Sequence, residues 1–175
     1  MISPANKPGP TAATDLLAEL SRVLWQQRNL IEVLEYRLEV QQLLMISGRA
    51  ERLALAVGEV EVALTDIRTI EERRVAIVSR AAVALGLPSS ATLTQIRSKA
   101  PEPWDYVLAD HQTELQRLVS STEDLANRNR EVSQRGLADI RSAFDGVDNA
   151  VTKTYGRHGD RTSLTLPPTL VNRQV

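Results

Sequence analysis

The sequence predicts an all-α protein, an elongated antiparallel bundle of three long helices with coiled-coil packing and disordered N- and C-terminal tails. The apolar residues are nearly all aliphatic, with one Phe, two Trp and three Tyr in 175 residues. Long stretches contain neither Gly nor Pro, and apolar residues recur at intervals of three and four. This is the repeat of packed helices, and three long helices joined by short links bury such stripes by lying antiparallel.

The first long helix is expected at about 14–46. Residues 1–13 hold three of the eight prolines and are interpreted as a disordered arm, while Thr14 is a typical N-cap residue. The apolar face that follows comprises Leu17, Leu20, Leu24, Ile31, Leu34, Leu38 and Met45, with Gln27 and Gln41 at the two remaining positions.

A second helix is expected at about 50–85, between a turn at Gly48 and the sequence GLP at 86–88, which ends it. The charged run EERR at 71–74 is interpreted as solvated helix surface. We expect the apolar stripe to drift around this run. Its members are Leu53, Val57, Val60, Leu64 and Ile67, then Ile70, Ile77, Ala81 and Leu85.

Thr92 and Gln95 have the spacing of a capping box, which predicts a short helix at about 92–99. The longest helix is expected at about 103–154, so that the helical bundle covers 14–156. Near Gly136 its apolar stripe changes register. Gly156 is placed to end the helix, and residues 157–175 are interpreted as a flexible tail.

The composition argues against catalysis, metal binding and cofactors. The absence of Cys excludes disulfides, thiol nucleophiles and zinc–thiolate sites. Neither His follows a Glu by three residues, as a di-iron bundle requires, and TYGRHG at 154–159 fits neither phosphate-loop spacing. In the pair Asp110–His111, His111 lies on the apolar stripe, where a packed His with a locally hydrogen-bonded ring is favoured over an acid–base pair. No enzymatic activity is expected.

Charge and hydropathy also narrow the partners. A net charge of −1 gives no reason to expect nucleic acid, and the short basic excess after Ala150 is typical of a solvated end. No apolar run approaches the roughly 20 residues that span a bilayer. The N-terminus lacks the apolar segment of a secretory signal. We therefore expect a cytoplasmic protein without membrane insertion.

The end of the longest helix carries the candidate partner-binding stripe. One interpretation is that this stripe packs on the first helix or forms a homodimer, so that the protein is a structural coiled-coil scaffold. The other is helix-in-groove recognition of a second protein. The pattern alone leaves both open. The stripe consists of Leu137, Ile140, Phe144, Val147, Val151 and Tyr155.

The order and spacing of several segments resemble the FlgN family of flagellar type III export chaperones, particularly its actinobacterial members. These segments are LWQQRNLIEVLEYRLEVQQLLMISGRAERL (24–53), VGEVEVAL (57–64), TLTQIRSKAPEPW (92–104), ADHQTEL (109–115), LANRNR (125–130) and TYGRHG (154–159).

The resemblance implies a small cytoplasmic helical chaperone without enzymatic activity. It implies binding of hook-associated (hook–filament junction) proteins before secretion, prevention of their premature assembly, and delivery to components of the flagellar export apparatus. It further implies that the C-terminal stripe binds these clients and that Asn129 has a structural role.

Overall fold

The computed structural model describes the backbone of residues 10–154 and the side chains of residues 11–143. Within that range it contains four helices and no strand: α1 Pro10–Ile46, α2 Ala50–Ala84, α3 Leu93–Lys99 and α4 Trp104–Thr154. The chain divides into two units, Met1–Val132 and Ser133–Val175, and α4 contributes to both. The predicted all-α class, with α1, α2 and α4 packed together in the first unit, is confirmed.

Helix α1 begins earlier than the sequence analysis expects. Its first residue is Pro10, so Thr14 lies inside the helix and is not its N-cap. Proline is favourable at the first helical position because its missing N–H has no intrahelical partner there. Residues 10–13, assigned above to the arm, are therefore helical, and Ala13 is buried. Residues 1–9 lie outside the described part of the chain.

The core face of α1 follows the predicted heptad stripe. Three of its leucines, Leu17, Leu20 and Leu24, are fully buried. Further along the helix Ile31, Leu34 and Leu38 are also buried, while Met45 near the end is half-buried. The spacing alone therefore located the buried side of this helix.

The core face of α2 differs from the predicted one in the first half of the helix, whereas Ile70, Ile77 and Ala81 are buried as predicted. Ala56 and Ala63 are buried, whereas the larger Val57 and Leu64 are 38% and 37% exposed. Alanine on the inner face lets the backbones of neighbouring helices approach closely, which a β-branched or longer side chain would prevent. The buried positions Ala56, Ala63, Ile70 and Ile77 then repeat every seven residues, so the expected drift of the stripe is absent.

The buried side chains of the first unit form two clusters. The larger one joins the start of α1 and the end of α2 to α3 and α4, for example through Leu20, Ala81, Ile96 and Leu108. The smaller one joins the middle of the three long helices and consists of Leu34, Leu38, Ala63 and Leu125. Both clusters include residues of α4 that precede position 132.

The connections have the predicted chemistry. Gly48 and Gly86 follow α1 and α2 with φ of +68° and +74°, a conformation that glycine adopts without strain. The capping box of α3 is confirmed. The backbone N–H of Gln95 donates to Thr92 Oγ1 at 3.3 Å, and the backbone N–H of Thr92 donates to Gln95 Oε1 at 2.8 Å.

Candidate partner-binding surface

Two of the six predicted site residues lie in the described part of the second unit with their side chains exposed. We call the part of α4 in this unit, 133–154, the distal segment. All side chains from Ser133 to Ala143 are exposed, and Leu137 and Ile140 are each 56% exposed. Because these two residues are three apart on a helix, they lie on the same face.

The side chains of the other four predicted residues lie outside the described part of the chain. The backbone at Phe144, Val147 and Val151 is helical, but their side chains lie outside the described residues. Tyr155 lies outside the described residues altogether, as does Gly156, the predicted end of the helix. The six-residue stripe stays a prediction for these positions.

The preceding part of the same helix behaves differently. In this proximal segment, 104–132, the apolar residues Leu108, Leu118 and Leu125 are buried in the first unit. The apolar pattern of α4 therefore supplies core in one unit and solvent-exposed side chains in the other.

A polar cluster around His111 attaches the proximal segment to α1. His111 is buried, with Nε2 3.0 Å from Ser21 Oγ and Nδ1 3.4 Å from Arg28 Nη1. Its ring meets the Trp25 ring edge to face, with centroids 5.5 Å apart. Arg28 also stacks on Trp25 and forms an ion pair with Asp110 at 3.0 Å. The partners come from α1, 90 residues away in the case of Ser21, so the predicted local hydrogen bond of His111 is wrong.

The cluster holds His111 in one neutral form. Arg28 has no acceptor, so its N–H donates and Nδ1 must accept; the ring proton then lies on Nε2 and is donated to Ser21 Oγ. Burial lowers the pKa of His111 below its usual 6.5, and the nearby Arg28 guanidinium lowers that pKa further. Asp110 pairs with Arg28, so the Asp110–His111 pair is not an acid–base dyad.

A second buried polar contact lies at the end of the proximal segment. The Asn129 side-chain amide donates to the carbonyl oxygen of Leu38 at 2.8 Å and to Gln41 Oε1 at 3.2 Å. A buried Asn at a core position of packed helices fixes their register at some cost in stability. This contact agrees with the structural role that the resemblance implies for Asn129.

The charged run at 71–74 is only partly a solvated surface. Glu72 and Arg73 are exposed, but Glu71 and Arg74 are half-buried and form a bidentate pair. Gln27 of α1 donates to Glu71 at 3.0 Å. The hydrogen bond from Arg74 lowers the pKa of Glu71 below its usual 4.5. These contacts explain why a polar residue, Gln27, stands in the apolar stripe of α1: its side chain meets a charged pair of α2 rather than an apolar side chain.

Other kinds of site are missing from the described residues. Among them no group of three or more His, Cys, Asp or Glu side chains is arranged to hold a metal ion. None of the helices, as far as the structure describes them, is long and apolar enough to cross a membrane. The exposed stripe of the distal segment remains the candidate site.

Comparison with known proteins supports the resemblance. Residues 16–163 match the sequence model of the FlgN family, whose description is "FlgN protein". The chain belongs to the FlgN family. The match includes both segments of α4 and all six residues of the predicted stripe. No curated protein and no solved structure matches the chain significantly.

Membership of the FlgN family gives the protein the general role of a flagellar export chaperone.

A second exposed apolar surface, which is not among the predicted sites, lies on the first unit. Five exposed side chains lie there, outside the a and d positions of their helices. They are Val33, Tyr36, Leu43, Leu55 and Val62. Tyr36 and Leu43 are seven residues apart on α1, as are Leu55 and Val62 on α2, and this spacing was the signal available in the sequence.

Proposed function

We propose that this FlgN-family protein binds hook-associated proteins in the cytoplasm through the distal segment of α4. It prevents their premature assembly and delivers them to the flagellar export apparatus. The observation that carries the proposal is the exposure of Leu137 and Ile140 on a helix whose proximal leucines are buried. An exposed amphipathic stripe on a chaperone is suited to a client with a complementary apolar helix.

The energetics suit a reversible complex. Burial of about 600 Å² of apolar surface supplies on the order of 15 kcal/mol before the entropy of association and ordering offsets most of it. The remaining free energy corresponds to binding that is tight enough to cover the client and weak enough to release it at the export apparatus.

The described charges of the distal segment support recognition through apolar contacts. They are Arg135, Asp139 and Arg141, all exposed, which leaves a net excess of one positive charge. A surface without a strong net charge attracts its partner weakly over long range, so we expect client affinity to depend only slightly on ionic strength.

The proposal is tested with the purified full chain and a purified hook–filament junction protein, by titration calorimetry. The double variant Leu137→Asp/Ile140→Asp is expected to weaken binding at least about thirtyfold, because each carboxylate would be buried in an apolar contact. Its helical circular dichroism and unfolding midpoint should match those of the unmodified chain, since both side chains are exposed.

The matched control is Ala138→Asp/Ser142→Asp. It adds the same charge to the same segment, but residues 138 and 142 lie on the opposite side of the helix from the stripe. We expect it to bind the client with nearly unchanged affinity. If the stripe variant binds as well as this control, the distal segment is not the client site. If the unmodified chain binds no hook–filament junction protein, the client assignment is wrong.

A further inference from the structure

The α1–α2 hairpin carries an exposed apolar face on the side of α1 away from α4. Among the residues of α1 that contact α4 are Ser21, Arg28 and Glu35, which bond to His111, Asp110 and Ser121 and repeat every seven residues. A different side of α1 meets α2, where Gln26 contacts Arg73 and Arg37 donates to the Glu59 carbonyl. That side borders an open groove between α1 and α2.

The groove continues into the apolar face toward the turn of the hairpin. On α1 it is lined by Gln26 and Asn29, and Val33 and Tyr36 follow these residues by seven positions. On α2 it is lined by Thr69, and Val62 precedes Thr69 by seven positions. Residues seven apart lie on nearly the same side of a helix. We call the surface formed by Val33, Tyr36, Leu43, Leu55 and Val62 the outer face.

The outer face is large for a surface that contacts only water. Its five side chains are between 41% and 70% exposed. Together they present on the order of 500 Å² of apolar surface, near the upper end of what monomeric proteins leave exposed in one patch. An isologous contact would bury this surface on both copies. Once polar neighbours are included, the area buried on each copy approaches the roughly 800 Å² per partner of a standard interface.

Gly58 is an independent indication of a close contact at this face. It lies within helix α2 between Leu55 and Val62, where glycine weakens the helix. Apart from the adjoining backbone of its own helix, a Cβ atom at Gly58 would meet no atom of the described residues within 4 Å. Packing within the described chain therefore does not require glycine, whereas a second backbone approaching closely at this point would.

The charges on the same side of α2 are arranged for self-pairing. Arg52 and Asp66 lie seven residues before and after Glu59, on one side of the helix, and both are exposed. In the described part of the chain neither forms an ion pair. When two α2 helices cross antiparallel about an axis at Glu59, Arg52 of each copy faces Asp66 of the other. Arg37 places a positive charge beside the two Glu59 residues at the axis.

We propose that two copies of this chain pair through the outer face, with their α2 helices antiparallel across a two-fold axis at Gly58 and Glu59. The pairing buries the apolar side chains of both hairpins and joins the two Arg52–Asp66 pairs. It uses the first unit only. The inference goes beyond the proposed client binding and does not depend on it, because the client stripe lies in the second unit.

The test is sedimentation equilibrium of the full chain across a range of concentrations. We expect a concentration-dependent doubling of mass. Val62→Asp is expected to weaken the dimer at least about tenfold, because the substitution occurs twice in each dimer. The matched control is Val75→Asp: Val62 and Val75 are 55% and 54% exposed on the same helix, but on different sides of it. The control should dimerise like the unmodified chain.

A charge exchange separates this geometry from other dimers. Arg52→Asp and Asp66→Arg should each weaken the dimer roughly fivefold, since each replaces two attractive pairs by two repulsive ones. The double variant Arg52→Asp/Asp66→Arg should restore it. Leu137→Asp/Ile140→Asp should dimerise normally.

Three outcomes would overturn the proposal. One is a mass that stays monomeric at every concentration, which would leave the outer face to a different partner. Another is a dimer that Val62→Asp does not weaken. The third is a dimer that only Leu137→Asp/Ile140→Asp dissociates, which would place self-association on the distal segment. Circular dichroism of each variant establishes that it is folded.

Discussion

The proximal and distal segments of α4 share one helix and one kind of apolar repeat, yet they are used differently. The proximal segment buries Leu108, Leu118 and Leu125 and is attached to α1 through His111 and Asn129. The distal segment exposes Leu137 and Ile140 in a separate unit. An amphipathic pattern thus predicts a helix in both segments, but the burial of the apolar side chains distinguishes the segment that packs in the bundle.

Truncation of a leucine in each segment gives the largest expected contrast. Leu108→Ala should lower the free energy of unfolding by about 2–5 kcal/mol, because it leaves a cavity in the larger core cluster. Leu137→Ala should change it by less than about 0.5 kcal/mol, because the side chain is exposed. Urea denaturation of both variants measures the difference. A comparable loss for Leu137→Ala would show that the distal segment is part of the cooperative core.

Acid should lower the free energy of unfolding through His111, which attaches the proximal segment to α1. We expect this effect to be smaller than that of Leu108→Ala. The pKa of His111 is lowered in the folded state, so the unfolded chain binds a proton more readily. The free energy of unfolding should therefore be steady above about pH 6.5, the ordinary pKa of His, and fall as the pH drops below it. The pKa of Glu71 lies below its usual 4.5, so protonation of Glu71 lowers the free energy of unfolding further only at still lower pH.

The only other histidine supplies the control for that measurement. His158→Gln should keep the pH dependence of the unmodified chain, whereas His111→Gln should lose the part that begins as the pH falls below about 6.5. Urea denaturation at several pH values measures both. If the two variants show the same pH dependence, the neutral His111 does not stabilise the fold in the way described.

Glycine replacement gives the smallest expected effect and compares the two units directly. A Cβ at Gly58 or at Gly136 meets open space. Gly58→Ala should raise the unfolding free energy of the bundle by about 0.5–1 kcal/mol. Gly136→Ala should increase helical circular dichroism without shifting the unfolding midpoint. Dilute protein keeps self-association out of the measurement. A midpoint shift for Gly136→Ala equal to that for Gly58→Ala would mean that the units unfold together.

Features decided by local chemistry were predictable from the sequence. The α1 stripe follows from regular spacing of large aliphatic residues, and the α3 capping box from Thr92 and Gln95. The FlgN family was recognised from the order of several weak motifs and is confirmed by the match over residues 16–163.

Features decided by tertiary contact were not predictable in the same way. The choice of Ala56 and Ala63 over Val57 and Leu64 as core residues depends on how closely the helices approach. Likewise, spacing placed His111 on the buried side but did not identify Ser21 and Arg28 as its partners. The outer face was not predictable from the heptad pattern because its residues fall outside the a and d positions of their helices.

The difference between the two segments of α4 is tested most directly by amide hydrogen exchange, with and without a hook–filament junction protein. We predict that amides of 104–132 are protected in both samples, whereas those of 133–143 exchange quickly in the free chaperone and become protected when the client is added. Protection of 133–143 in the free chain, or no change on adding a client that binds, would contradict the account.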